Sequence, residues 1–174
     1  MENVRVGDIM IPLEDYPHLQ DSCSLRQAIE IIEKSQLERH GRKSLPRVLL
    51  VFNEKSELLG TVRRRDILRG LEPEFLLQEP ITYRRKLFDV KIDPDLSELS
   101  FDKVISGVRE RANRPVSEVM LPILATVDYQ DHIIKVIYEM NMHNVSILPV
   151  LKDSRVVGIV RTVEIVHVIA GIIL

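Results

Sequence analysis

A single cysteine, Cys23, rules out any internal disulfide and with it the disulfide-stapled scaffolds. The N-terminus lacks the positive start and apolar run of a secretory signal, so the expectation is a cytoplasmic protein. Glycine and proline, 7 and 9 residues of 174, are too sparse for a collagen-like or low-complexity chain. Long apolar runs are also missing. The most apolar stretch, Ile165 to Leu174, falls well short of the roughly 20 residues that a membrane-spanning helix needs, and reads as a buried or interfacial helix. A net charge of only −2 provides no global field to draw the chain onto nucleic acid or an anionic membrane. The basic runs Arg63-Arg64-Arg65 and Arg84-Arg85-Lys86 come without aromatic interleaving, helix-turn-helix pattern or zinc spacing, and read as a solvated face. Neither nucleic acid nor membrane is an expected partner.

Catalytic signatures are missing as well. There is no glycine-rich Walker pattern, no Gly-x-Ser-x-Gly elbow and no paired-carboxylate motif. The histidines, His18, His40, His132, His143 and His167, have no metal-ligand spacing. No positioned base accompanies Cys23. The expectation is a chain with no catalytic residues, no metal and no cofactor.

What is present is an apolar share of 45% against 29% charged, a globular mix in a chain long enough to bury a core. Its plan occurs twice. Val6, Asp8, Ile9, Met10 and Pro12 recur as Val116, Glu118, Val119, Met120 and Pro122. A helical stripe, Leu25, Ile29 and Ile32, is answered by Ile133, Ile137 and Met140. Two β-rich runs follow in each copy, Val48 to Phe52 with Leu58 to Val62, and Val145 to Leu151 with Val156 to Val160. Both second strands carry a glycine with an acid six positions on, Gly60 with Asp66 and Gly158 with Glu164. The polar insertion Glu33 to Arg47 occurs only in the first copy and is expected to lengthen its helix and loop.

The spacing predicts an α/β (α+β) fold of two strand-helix-strand-strand-helix repeats, residues 1–70 and 115–174. A unit of about 60 residues is marginal alone, so the two are expected to pack on each other. The connecting insertion, 71–114, is expected to be partly helical, with Phe101, Val104, Ile105 and Val108 on one stripe and an end before Pro115.

With its paired Asp-Ile-Met and Glu-Val-Met steps, its Leu148-Pro149-Val150 strand and its two glycine-to-acid segments, the chain resembles the CBS domain family, whose tandem pairs are called Bateman modules. The resemblance spans nearly everything except the central insertion. It implies a pseudo-two-fold pair of repeats, a regulatory role, a disc-like homodimer and a cleft between the repeats that takes an adenine nucleotide such as AMP, ADP or ATP. In that cleft the acid of each segment binds ribose, here Asp66 and Glu164, and a hydroxyl residue three positions before it helps hold phosphate. Backbone beside Pro149 contacts adenine.

The physics is consistent with those roles. An ionised carboxylate can accept both ribose hydroxyls, and a strand-to-helix turn aims N–H groups and a positive dipole end at phosphate. Gly60 and Gly158 would let backbone approach closely. Arg63 and Arg161 stand where the family has serine or threonine. Either they clamp phosphate, with Arg64 beside the first, or their bulk closes the cleft. The sequence leaves both open, and so leaves two functions: a nucleotide sensor signalling through dimer packing or a regulated protein in trans, or a ligand-free dimerisation or interaction module. The stripe Ile165, Val168, Ile169 and Ile172 is the expected self-association surface.

Overall fold

The structure, a computed structural model, describes residues 4–39, 41–72 and 101–174. The chain opens with a short helix α1 (Val6–Ile9), strand β1 (Ile11–Pro12), a 3₁₀ turn (Leu13–Asp15), β2 (His18–Gln20) and helix α2 (Leu25–Lys34). A hairpin β3 (Leu37–Arg39) and β4 (Arg42–Ser44) leads into β5 (Val48–Phe52), β6 (Leu58–Arg63) and α3 (Arg64–Leu71). Helix α4 (Phe101–Arg111) and a 3₁₀ turn (Val116–Glu118) precede β7 (Leu121–Pro122), β8 (Val127–Asp128), α5 (Ile133–His143), β9 (Ile147–Lys152), β10 (Arg155–Arg161) and α6 (Thr162–Ile173). The helix expected around Phe101 to Val108 is α4; the rest of the 71–114 insertion through residue 100, with Arg84-Arg85-Lys86, lies outside the described residues, as does His40.

Each repeat forms one four-stranded sheet, in the orders β2-β5-β6-β7 and β1-β10-β9-β8. Within each, the helix carries the chain across to a parallel neighbour, β2 beside β5 and β8 beside β9, and a tight turn then gives an antiparallel hairpin. The opening strands are exchanged. β1 completes the second sheet by pairing with β10, and β7 completes the first by pairing with β6.

Backbone hydrogen bonds secure the exchange at both ends. Val6 and Gly7 donate to the carbonyls of Asp131 and Tyr129, each at 2.9 Å, while Val116 and Ser117 donate to those of Cys23 and Asp21 at 2.8 and 3.3 Å. The cores follow the same crossing. Val6 is buried with Val127, Val136 and Leu148, and Val116 with Leu25, Leu49 and Val62. Gly60 and Gly158 lie beneath the crossing strands. A Cβ at either would collide with a backbone oxygen, that of Leu121 or of Ile11, so the close approach that demands glycine here is between protein backbones.

Helix α2 starts where Ser24 and Gln27 form a reciprocal capping box, with N···O distances of 2.8 and 3.2 Å. Its buried face is Leu25, Ala28 and Ile32, with Ile29 partly buried beside it. Contrary to the sequence-based expectation, the insertion after it does not lengthen the helix. The Ser35 N–H closes α2 on the Ile31 carbonyl, and the chain turns back through β3 and β4 with Gly41 at φ +70°. The physical reason is burial: Leu37 enters a third apolar cluster with Ile11, Tyr16, Leu50, Phe52 and Ile159, contributed by both sheets.

The C-terminal helix also differs from expectation. Ile165 is buried and Val168 and Ile169 pack against the second core, so they are not an open surface. The exposed apolar side chains of α6 are Val163, Val166, Ile172 and Ile173. No helix among the described residues is long and apolar enough to cross a membrane.

Candidate ligand cleft

Strand β6 runs into α3 at Arg63, and β10 runs into α6 at Arg161. The pairs Val51 with Gly60 and Val150 with Gly158 superpose the two hairpins and set Leu49-Leu50-Val51 against Leu148-Pro149-Val150. A constant offset of 98, the one that relates Gly60 to Gly158 in the sequence, would instead set Leu50-Val51-Phe52 there, one residue later. The offset comes from the turns, five residues between Phe52 and Leu58 but four between Leu151 and Val156, since the bulge just before each glycine is common to both hairpins.

At both helix starts the arginine grips the acid three residues on. Asp66 is fully buried and accepts from the Arg63 backbone N–H at 3.0 Å, from Nε at 2.8 Å and from the guanidinium terminus at 3.0 Å. Glu164 accepts from the Arg161 N–H at 3.1 Å, from Nε at 2.9 Å and, through its second oxygen, from the guanidinium terminus. Burial by itself would push the Asp66 carboxyl up, but the hydrogen bonds and charge of Arg63, with the charge of Arg69, outweigh it and hold the group below the usual aspartate range.

The surroundings of the two pairs differ. The Arg63 side chain is 44% exposed and that of Arg161 only 13%. Beside Arg63 lies a cavity of about 170 Å³ between the Arg63 end of the first sheet (Val48, Thr61), the crossing stretch 121–125 and residues 143–149, Pro149 included. Arg63 and Pro149 are thus brought together at one opening, with Asp66 held directly behind Arg63. Gly60 is buried under β7, and Arg64 is exposed at the start of α3, outside the cavity lining. Sequence reasoning missed Thr61, His143 and Ser146 as lining residues. The only signal was the hydroxyl of Thr61, next to Gly60.

By pseudo-symmetry a second cleft should lie beside Arg161, Ile159 and Ile147. It is filled. Tyr16, 3% exposed, and Leu37, 4% exposed, pack there with Ile11 and Ile159. The Tyr16 hydroxyl donates to the Val48 carbonyl at 2.8 Å, and the Arg161 guanidinium donates to Ser44 Oγ at 3.3 Å. Burial pushes the Tyr16 phenol up, against the nearby charge of Arg161 and with that of Glu164. Gly158, Arg161 and Glu164 therefore face protein.

A wider groove, about 1160 Å³, lies between the turns after β5 and β9 and contains none of the expected site residues. The Asn53 Oδ1 there is taken up by the N–H groups of Lys55 and Glu57. Among the described residues no three His, Cys, Asp or Glu side chains converge as a metal site.

The CBS domain family matches residues 6–73 and 116–171, which contain both repeats. No curated protein sequence matches. Among solved structures the chain is similar to the CBS domain of a CBS domain containing membrane protein from Sphaerobacter thermophilus, with 18% identity, 95% of this chain and 87% of that one covered and a TM-score of 0.64. It is also similar to CBSX2 in complex with AMP, with 19% identity, 98% of both chains covered and a TM-score of 0.62. A third similar structure is the CBS domain pair of MJ0100 in complex with 5-methylthioadenosine and S-adenosyl-L-methionine, with 21% identity, 97% and 98% covered and a TM-score of 0.59. At such identities the likeness concerns the fold. Both repeats match the family, and their strands cross as one pseudo-two-fold body: the chain belongs to the CBS domain family, as a tandem CBS pair.

Proposed function

We propose that this CBS pair is a regulatory, non-catalytic module that binds an adenine nucleotide, AMP, ADP or ATP, in the cleft beside Arg63. The observation that carries this reading is the Arg63–Asp66 pair at a helix start, opening onto a cavity bordered by Thr61 and Pro149. Two similar structures hold adenosine compounds, AMP in CBSX2 and methylthioadenosine with S-adenosylmethionine in MJ0100, which supports the ligand class.

The cavity is smaller than the roughly 300 Å³ at which ligand sites begin, so binding needs a rearrangement. Arg63 provides one. Its half-exposed side chain swings off Asp66, the freed carboxylate accepts the ribose hydroxyls, and the guanidinium meets the phosphate. One internal ion pair is exchanged for two charge-assisted contacts to ligand. A nucleotide that favours the opened cleft shifts the packing of the two repeats by its differential affinity alone.

The test is thermal unfolding with millimolar AMP, ADP, ATP and GTP. Ligand at about 100 times its dissociation constant stabilises by about 2.7 kcal/mol, a rise of several degrees in the midpoint. Asp66→Ala is expected to abolish the shift, and Arg63→Ala to bind adenosine as well as AMP. A second reading, a ligand-free interaction module, is favoured by the complete occupation of Asp66 by Arg63. It expects no shift with any nucleotide in folded protein.

Output through a homodimer has a surface available. Ile134, Tyr138 and Met142 form an exposed apolar stripe at helical spacing on α5, and the neighbouring α6 exposes Val163, Val166 and Ile173. The helices of the first repeat are partly covered by α4 and the segment after it: Arg111 Nε bonds the Gly70 carbonyl at 3.0 Å, and the α2 amides of Leu25 and Arg26 bond the carbonyls of Arg114 and Ala112. Self-association therefore falls to the second repeat. Tyr138→Glu with Val166→Glu is expected to convert a dimer to a monomer in light scattering, and a dimer that persists would place the interface elsewhere.

A further inference from the structure

Two pseudo-equivalent clefts are built by the fold, and the chain leaves only one of them empty. The difference comes from two local departures between the copies. Counted back from the matching pairs Leu19 with Val51 and Val127 with Val150, Tyr16 stands where the second copy has Leu124, an exposed side chain bordering the open cleft. The loop between helix and central strand, which in the second copy is Asn144-Val145-Ser146, is in the first copy the hairpin of β3 and β4. The short loop borders the open cleft. The long one drops Leu37 into the other and lays Ser44 against Arg161.

We infer that Tyr16 and this hairpin are a permanent occupant of the second cleft, standing in for ligand, so that the chain takes one nucleotide and not two. Each element a ligand would use there is already engaged. Glu164 holds Arg161 through three bonds, Arg161 holds Ser44, and the position matching the Thr61 hydroxyl is the fully buried Ile159. A nucleotide entering this cleft would have to expel two buried apolar side chains and break the buried Tyr16 hydrogen bond to Val48, with nothing displaced on the first side but one half-exposed arginine. The asymmetry gives the module a single input on one side of its pseudo-two-fold axis. Only the identity of the ligand rests on the nucleotide reading above; the filling of the cleft does not.

The experiment compares two engineered thiols in a Cys23→Ser background. Thr61→Cys reports the open cleft and Ile159→Cys the filled one. In the otherwise intact chain Ile159→Cys is expected to react with a maleimide roughly a hundredfold more slowly than Thr61→Cys, because a buried thiol is reached only through local opening. AMP should slow the Thr61→Cys reaction, leave Ile159→Cys unchanged and titrate to one molecule per chain. Replacing residues 36–45 by a short glycine-serine linker, together with Tyr16→Ala, should raise the Ile159→Cys rate to that of Thr61→Cys. Fast labelling of Ile159→Cys in the intact chain, acceleration of it by AMP or two bound AMP per chain would overturn the proposal. The intact-chain comparison stands even where the trimmed variant does not fold. Slow Ile159→Cys labelling with Thr61→Cys indifferent to AMP supports the filled cleft and removes the nucleotide reading.

Discussion

Gly60→Ala and Gly158→Ala are expected to destabilise the protein by about 2–3 kcal/mol each, the upper part of the range for overpacked interiors. The nearest atom that an added Cβ meets is a backbone carbonyl oxygen, of Leu121 or of Ile11, which cannot turn aside as the Met10 sulfur near Gly158 could. Relief requires β7 or β1 to move away. That sacrifices the pairs of Gly60 with Pro122 and Thr61 with Leu121, or of Gly158 with Pro12 and Ile159 with Ile11, which are all the ladder pairs holding each exchanged strand to its sheet. A valine at either position should be worse. Gly171 is the internal control: nothing lies within 4 Å of its would-be Cβ, and as a helical glycine it should gain up to about 1 kcal/mol on conversion to alanine. Urea midpoints for the three alanine variants decide the matter. A cost below about 0.5 kcal/mol, ordinary for a surface change, would mean that the crossing strands do not press on the glycines.

The repeat was legible because each copy writes the same hydrophobic periods in the same order, Leu25 and Ile32 against Ile133 and Met140, and nothing but a doubled unit accounts for both. The exchange of opening strands was not. Val6 to Pro12 and Val116 to Pro122 are so alike that a chain folding each onto its own repeat and a chain crossing them have the same pattern; only long-range packing selects one. The hairpin of β3 and β4 was hidden for a different reason. Glu33 to Arg47 is nearly all polar, so neither a helical nor a strand period stands out, and what joins it to the core is the burial of Leu37 in a cluster shared by both sheets. At the site, the place of Asp66 and Glu164 at helix starts could be read from the glycine-to-acid spacing. The grip of each arginine on its acid could not, since residues three apart at a helix start meet only once the turn has formed. Tyr16 gave no signal at all. Its role follows from which cleft the 3₁₀ turn after β1 happens to face.

The filled and open clefts also predict unequal consequences for one chemical change. Glu164→Ala is expected to cost about 3–5 kcal/mol, as for a buried ion pair from which one partner is removed. Arg161, 13% exposed and enclosed by the contents of the filled cleft, stays largely out of water once its acid is gone. Asp66→Ala removes an acid that is just as buried, yet Arg63 is 44% exposed and can turn into solvent. What is lost there is chiefly the acceptor for the Arg63 N–H at the helix start, about 0.5–2 kcal/mol. The double variant Arg161→Met with Glu164→Leu should recover most of the Glu164→Ala loss, because an apolar pair of similar volume leaves no stranded charge. Chemical denaturation of these variants against the unaltered chain measures all three. Equal costs for the two single variants would mean that Arg161 reaches water as freely as Arg63, which a cleft closed by Tyr16, Leu37 and Ser44 does not allow.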